Sequence, residues 1–192
     1  MTMPAERGVC IWLTGRSGSG KSTVTHALLP MLERAGRIVT VLDVVPVLDK
    51  QPGERTSEGK LLRKAFVASE IARHGGIAIC VTVSARRQTR ESARAMVGGE
   101  SFLEIHVDPP ADVARARKGA RGRKPSLAKR AKLLRRRAGT VVRGSASVSH
   151  EAPSDPDLRI DTDATPAEEG ALAIYRLLVE RGFVTDPAVT SR

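Results

Sequence analysis

Short apolar runs rich in β-branched residues alternate along this chain with longer stretches in which apolar positions recur every three or four residues. The runs at 9–14 (VCIWLT), 38–43, 77–83, 102–107 and 158–160 read as strands, and the stretches at 21–35, 58–74, 86–97 and 166–181 read as amphipathic helices. Strand and helix in alternation is the pattern of βαβ units. It predicts an α/β fold with a central five-stranded parallel sheet flanked by helices. Gly36, Gly75 and Gly182 follow three of the helical stretches, where a left-handed C-cap suits glycine. No repeat of solenoid period is visible.

One stretch breaks the pattern. Residues 111–150 are cationic and carry Gly119, Gly122, Pro125, Gly139 and Gly144, which predicts a mobile excursion, or lid, with one basic helix at about 126–138 before the last strand. At 192 residues and 41% hydrophobic content the chain is expected to form a single domain over 1–192 around one core, with frayed tails at 1–7 and 186–192. Cys10 and Cys80 lie within strand runs and read as small apolar core residues. No apolar stretch is long enough to span a membrane, and the start MTMPAERG lacks the layout of a signal peptide, so a cytoplasmic protein is expected.

Charge changes the picture further. The net charge is +11, and thirteen lysines and arginines fall between 115 and 143, with Asp112 the nearby acid. Such a block attracts anions: nucleotide phosphates, an acidic substrate or nucleic acid. Aromatic residues make up 3% of the chain, too few for the stacking platforms that single-stranded nucleic acid requires.

The most specific chemistry lies between the first strand run and the first helical stretch. Gly15, Arg16, Ser17, Gly18, Ser19, Gly20, Lys21 and Ser22 fit G-x-x-x-x-G-K-[ST], and Thr23 follows. Glycines let the backbone wrap closely, while successive N–H groups and the helix N-terminus point at phosphate oxygens. This predicts a P-loop NTPase fold that binds ATP, with Lys21 bridging the β and γ phosphates and the Ser22 hydroxyl helping to hold Mg²⁺. Asp43 ends the second strand run and therefore faces the same sheet edge. It is the candidate metal partner, or the base that accepts the proton of an attacking hydroxyl. Asp108, before two prolines, has the weaker claim, because Asp-Pro is an ordinary way to begin a turn.

With these residues in place the chain resembles the adenylylsulfate kinase family, which phosphorylates the 3′-hydroxyl of adenosine 5′-phosphosulfate. The resemblance runs through IWLTGRSGSGKST, the VLD that closes the second strand, VSARRQTR after the third, IHVDPP, and SHEAPSDPDLRIDTD before the last helix. It implies a P-loop kinase with a mobile lid, Mg-ATP as phosphoryl donor and commonly a dimer. It also implies that Arg117 lies beside the ATP adenine and that Ser84, Arg87 and Arg90 line an acceptor cavity. By arginine-finger logic Lys118, Arg121 and Arg123 are candidates for stabilising the transferring phosphoryl group, with Arg121 placed in the catalytic set.

The acceptor half departs from the family. Where relatives read LDGDNxR this chain reads LDVVPVL, so Val45, Pro46 and Leu48 replace an aspartate, an asparagine and an arginine. The family's D-R-x-x-N falls on Thr56, Ser57, Glu58, Gly59 and Lys60, and its stacking aromatic falls near Arg143. Leu48 in place of arginine deletes a bidentate anion clamp. The reading that follows is an ATP-dependent kinase acting on a hydroxyl of a small molecule other than adenosine phosphosulfate. The alternatives are adenylylsulfate kinase activity through an atypical site, a nucleotide-binding regulator without turnover, and a polynucleotide 5′-hydroxyl kinase.

Overall fold

The computed structural model describes residues 7–43, 57–122 and 150–185. Five parallel strands form one sheet: β1 (Val9–Thr14), β2 (Val39–Leu42), β3 (Ile77–Val81), β4 (Phe102–Val107) and β5 (Leu158–Ile160), in the order β2-β3-β1-β4-β5. The helices are α1 (Lys21–Arg34), α2 (Ser57–Arg73), α3 (Arg87–Val97), α4 (Ala111–Gly122) and α5 (Ala167–Glu180). The expected α/β architecture is therefore what the chain adopts. Among the described residues no helix is long and apolar enough to cross a membrane.

Strand β3 and β1 up to Leu13 are apolar throughout because both of their faces are covered, and β4 buries Glu104 and His106 among its apolar residues. Along β1, Val9, Ile11 and Leu13 point toward a core with residues of α1 and α5, while Cys10 and Trp12 point toward a second core with residues of α2 and α3. Cys10 and Cys80 are both fully buried in that second core, with sulfurs 3.9 Å apart, and burial pushes the Cys10 thiol up. Phe102 packs beside Trp12, ring centroids 5.7 Å apart. The edge strand β2 is shorter than the pattern suggests. Ile38 is 79% exposed and lies outside the ladder, since a hydrophobic run does not distinguish an edge strand from a central one.

Three helix ends behave as expected. Gly36, Gly75 and Gly182 hold φ of 74°, 80° and 71°. The next residue's N–H reaches back to Leu32 O, Ile71 O and Leu178 O respectively. This is the Schellman closure, which needs a left-handed residue.

The stretch after β4 requires a correction. It opens not as a mobile excursion from residue 111 but as α4, twelve residues long. Its anchor is Ala114, 1% exposed, and its exposed described positions are small or charged residues, Ala111, Asp112, Arg115, Ala116, Lys118, Gly119 and Ala120, so hydrophobic periodicity was too weak to reveal it. The basic helix expected at 126–138 lies outside the described residues. Arg7, expected in a frayed tail, sits over the Phe183 ring at 4.8 Å and its carbonyl accepts from Arg37 at 2.8 Å.

Candidate active site

The loop after β1 emerges at the carboxyl edge of the sheet, where β1 lies between β3 and β4 and the chain winds outward on both sides. Ligands of open parallel sheets bind in the crevice at such a point. Gly15, Gly18 and Gly20 hold φ of 143°, 93° and 93°, conformations that a side chain would strain. Close approach matters as well: a Cβ on Gly18 would lie 2.2 Å from the Ala114 carbonyl oxygen of α4. Ser19 N–H donates to Arg16 O at 3.1 Å, and the Arg16 guanidinium is held by Asp108 at 2.9 Å. On the other flank Thr162 Oγ1 donates to Ser19 O at 2.8 Å and accepts from Arg117 at 3.0 Å. The loop is thus braced between α4 and the segment after β5.

Lys21 curls back over this loop. Its Nζ donates to Gly15 O and Arg16 O at 2.8 Å each and to Ser19 Oγ at 3.1 Å, and the residue is 7% exposed. Helix α1 opens at Gly20 with no side-chain cap and no acid in its first turn. The positive end of its dipole therefore faces the loop unopposed by its own residues. Ser22 Oγ donates to Asp43 Oδ2 at 3.3 Å. A cavity of about 160 Å³ is lined by Ser17, Gly18, Gly20, Lys21, Ser22 and Asp43, closed by Val81, Thr82 and Val83. Thr23 is exposed and gives its N–H to Gly20 O at 2.9 Å. The residues fit a triphosphate with Mg²⁺: a nest of positive-φ glycines and a buried ammonium for phosphate oxygens, and a hydroxyl beside a carboxylate for a hard cation.

Behind the loop lies a buried polar cluster that sequence reading did not find. Thr14 Oγ1 meets Ser84 Oγ at 2.7 Å and His150 Nε2 at 3.3 Å, and Trp12 Nε1 donates to Ser84 Oγ at 3.2 Å. The His150 ring stacks on His106, centroids 5.5 Å apart and planes 2° from parallel. His106 is fully buried, and its pKa falls to about 4: burial is the main cause, His150, Arg159 and Arg90 add to it, and Asp108 opposes it. His150 is lowered as well, chiefly by burial. Unfolded histidine takes up a proton near pH 6.5, so between that value and about 4 the unfolded chain holds the extra proton. The stability due to His106 is complete above pH 6.5 and is lost as pH falls. Denaturant titrations at pH 7 and pH 5 are expected to differ by about 2 kcal/mol from this group, and His106→Phe to flatten that difference. An unchanged slope in the variant would place the acid sensitivity elsewhere.

The remaining expected site residues are distributed unevenly. Ser84, at φ 31°, and Arg90 are each 2% exposed and face inward. Arg90 pairs with Glu104 at 2.7 Å and donates to Ser84 O at 2.8 Å. Burial pushes the Glu104 carboxyl up, and Arg90 and Arg94 pull it back. Arg90 thus ties α3 to β4, and its guanidinium does not line the cavity beside Lys21. Arg87 is exposed and bonded to Glu91 at 2.6 Å, and it lines together with Arg90 a separate cleft of about 380 Å³ against residues 153–157. Arg117 also stands 3.6 Å from Asp163. Lys118 is exposed on α4. Arg121 falls in the last turn of α4 with its side chain outside the described part, and Arg123, Arg143, Val45, Pro46 and Leu48 lie outside the described residues. Reading missed Thr162 and Lys64. Lys64 had a signal, a cation among Leu61, Ala65, Ala68 and Ala72 on the apolar face of a helical pattern.

A parallel sheet of this order, with a glycine loop, a buried lysine and a helix N-terminus at its crevice, defines a P-loop kinase. The family model for adenylylsulphate kinase matches residues 7–161. An adenylyl-sulfate kinase of Paraburkholderia xenovorans is 36% identical over 95% of this chain and 99% of its own. The structure of the Mycobacterium tuberculosis APS kinase in complex with AMPPNP and APS shares 28% identity with a TM-score of 0.67, covering 91% of this chain and 99% of that one. A hexameric APS kinase from Thiobacillus denitrificans shares 27% identity with a TM-score of 0.63, covering 94% of this chain and 30% of that one. The chain belongs to the adenylylsulphate kinase family, ATP-dependent kinases that work with Mg²⁺.

Proposed function

We propose that this kinase transfers the γ-phosphate of ATP to a hydroxyl of a small acceptor other than adenosine 5′-phosphosulfate. The observation that carries the reading is an asymmetry. The phosphate loop, Lys21, Ser22 and Asp43 are all in place, while Val45, Pro46 and Leu48 stand where the family's aspartate, asparagine and arginine stand.

Bound ATP supplies the phosphoryl group, and Mg²⁺ neutralises charge on its oxygens. Lys21 exchanges its bonds to Gly15, Arg16 and Ser19 for phosphate oxygens, and the loop N–H groups orient the chain of phosphates. Ser22 and Asp43 would hold the metal. The Asp43 carboxylate also stands at the cavity wall where an acceptor hydroxyl must enter, and there it accepts the hydroxyl proton. Arg117 and Thr162 form the wall for the adenine.

A second reading, adenylylsulfate kinase activity through an altered site, is favoured by identity across 95% of the chain to an enzyme of that name. Incubating the protein with Mg-ATP and adenosine phosphosulfate, beside a panel of small alcohols, and following ADP release and phosphorylated product separates the two. Efficient turnover of adenosine phosphosulfate would overturn the first reading. Absence of ADP release with every acceptor would favour a regulator without turnover.

A further inference from the structure

Lys64 lies on the inner face of α2, where Ala65 and Ala68 pack into the core beneath β1 and β3. It is 8% exposed. Burying an ammonium is costly unless it is hydrogen-bonded, and an apolar side chain would pack this face without that cost. Among the described residues the ammonium donates to the backbone carbonyl of Asp43. The ladder that holds β2 ends at Leu42, paired with Cys80, so Asp43 is the first residue past the last strand pairing. Its carboxylate nevertheless meets Ser22 at 3.3 Å.

We propose that Lys64 is a positioning residue of the kinase site, holding the Asp43 main chain so that the Asp43 carboxylate meets Ser22 and the metal. The inference rests on the role given to Asp43 above. The choice of partner is informative: a lysine on the carboxylate would compete with Mg²⁺, whereas a lysine on the carbonyl fixes the residue and leaves the carboxylate to Ser22, the metal and the acceptor. This is the arrangement by which an outer group orients a metal ligand, and loss of such a group typically costs about 10- to 100-fold in metal affinity or activity.

The test uses the full chain and the nucleotide analogue AMPPNP, titrated calorimetrically with and without Mg²⁺. Wild type is expected to bind more tightly with the metal. Asp43→Asn should lose most of that gain, and Lys64→Met should lose about tenfold of it while metal-free binding stays within about twofold. Lys64→Arg, which keeps a cationic donor, should restore at least half. The double variant should be no worse than Asp43→Asn alone, a non-additivity that general destabilisation does not produce. A full metal gain in Lys64→Met, with Asp43→Asn impaired, overturns the role of Lys64 and leaves that of Asp43 standing. A full gain in Asp43→Asn overturns both. Should Lys64→Met not fold, Lys64→Gln decides by the same comparison.

Discussion

Substituting Lys21→Met is expected to lower the rate of ADP formation by about 10²- to 10³-fold, the effect of deleting one preorganised donor from a site where charge shifts during reaction. The loss should exceed that of a surface lysine because this ammonium is 7% exposed and already aimed across the loop, at Gly15 O, Arg16 O and Ser19 Oγ. An incoming triphosphate takes over these bonds without the lysine having to be ordered, so little entropy opposes the exchange. Met preserves the stem and its packing and removes the charge. Lys21→Arg should not rescue, since the forked guanidinium cannot fit a socket shaped by three converging oxygens. Thermal melts should stay close to wild type while a coupled ADP assay falls. Activity within tenfold of wild type would mean that the triphosphate binds elsewhere.

The second large effect is expected at Asp43. Asp43→Asn keeps the shape and removes the negative charge, and should cost about 10²- to 10⁴-fold in turnover, the usual range for a group that handles a proton in the transition state. Metal-free nucleotide binding should change little, because the side chain touches Ser22 and not the glycine loop. Raising Mg²⁺ discriminates between its two tasks. If the loss is mainly of metal affinity, high Mg²⁺ recovers most of the rate; if it is of proton acceptance, the rate stays low at saturation. A variant with unaltered turnover at every Mg²⁺ concentration would remove Asp43 from the site.

Much of this arrangement was readable along the chain. The alternation of β-branched runs with helical periods specified a parallel sheet, because only strands buried on both faces are apolar at consecutive positions, as VCIWLT is. The phosphate loop was readable because its requirements are local: glycines at positive φ, then a lysine and a hydroxyl at the start of a helix. Asp43 was readable for the same reason, as the last residue of a strand run. Helix α4 was not, since Ala114 is the one fully buried side chain among its described positions and leaves almost no periodic trace. The depth at which Arg90 sits was not readable either. The resemblance to the family placed it with Arg87 on an acceptor cavity; both line one cleft, where Glu104 on β4 draws Arg90 inward to 2% exposure.

The sequence by itself therefore determined the donor half of the protein: a P-loop kinase fold, the loop from Gly15 to Thr23, and the family. These depend on residues within a few positions of one another, where backbone conformation and helix start follow from side-chain type. Tertiary structure alone decided the partners of that loop. Thr162 reaches Ser19 across 143 residues, His150 meets Thr14 across 136, and Lys64 on α2 grips Asp43 beyond the end of β2. No spacing along the chain encodes such pairs, because they arise only when the sheet sets the ends of separate strands side by side and the helices pack over them.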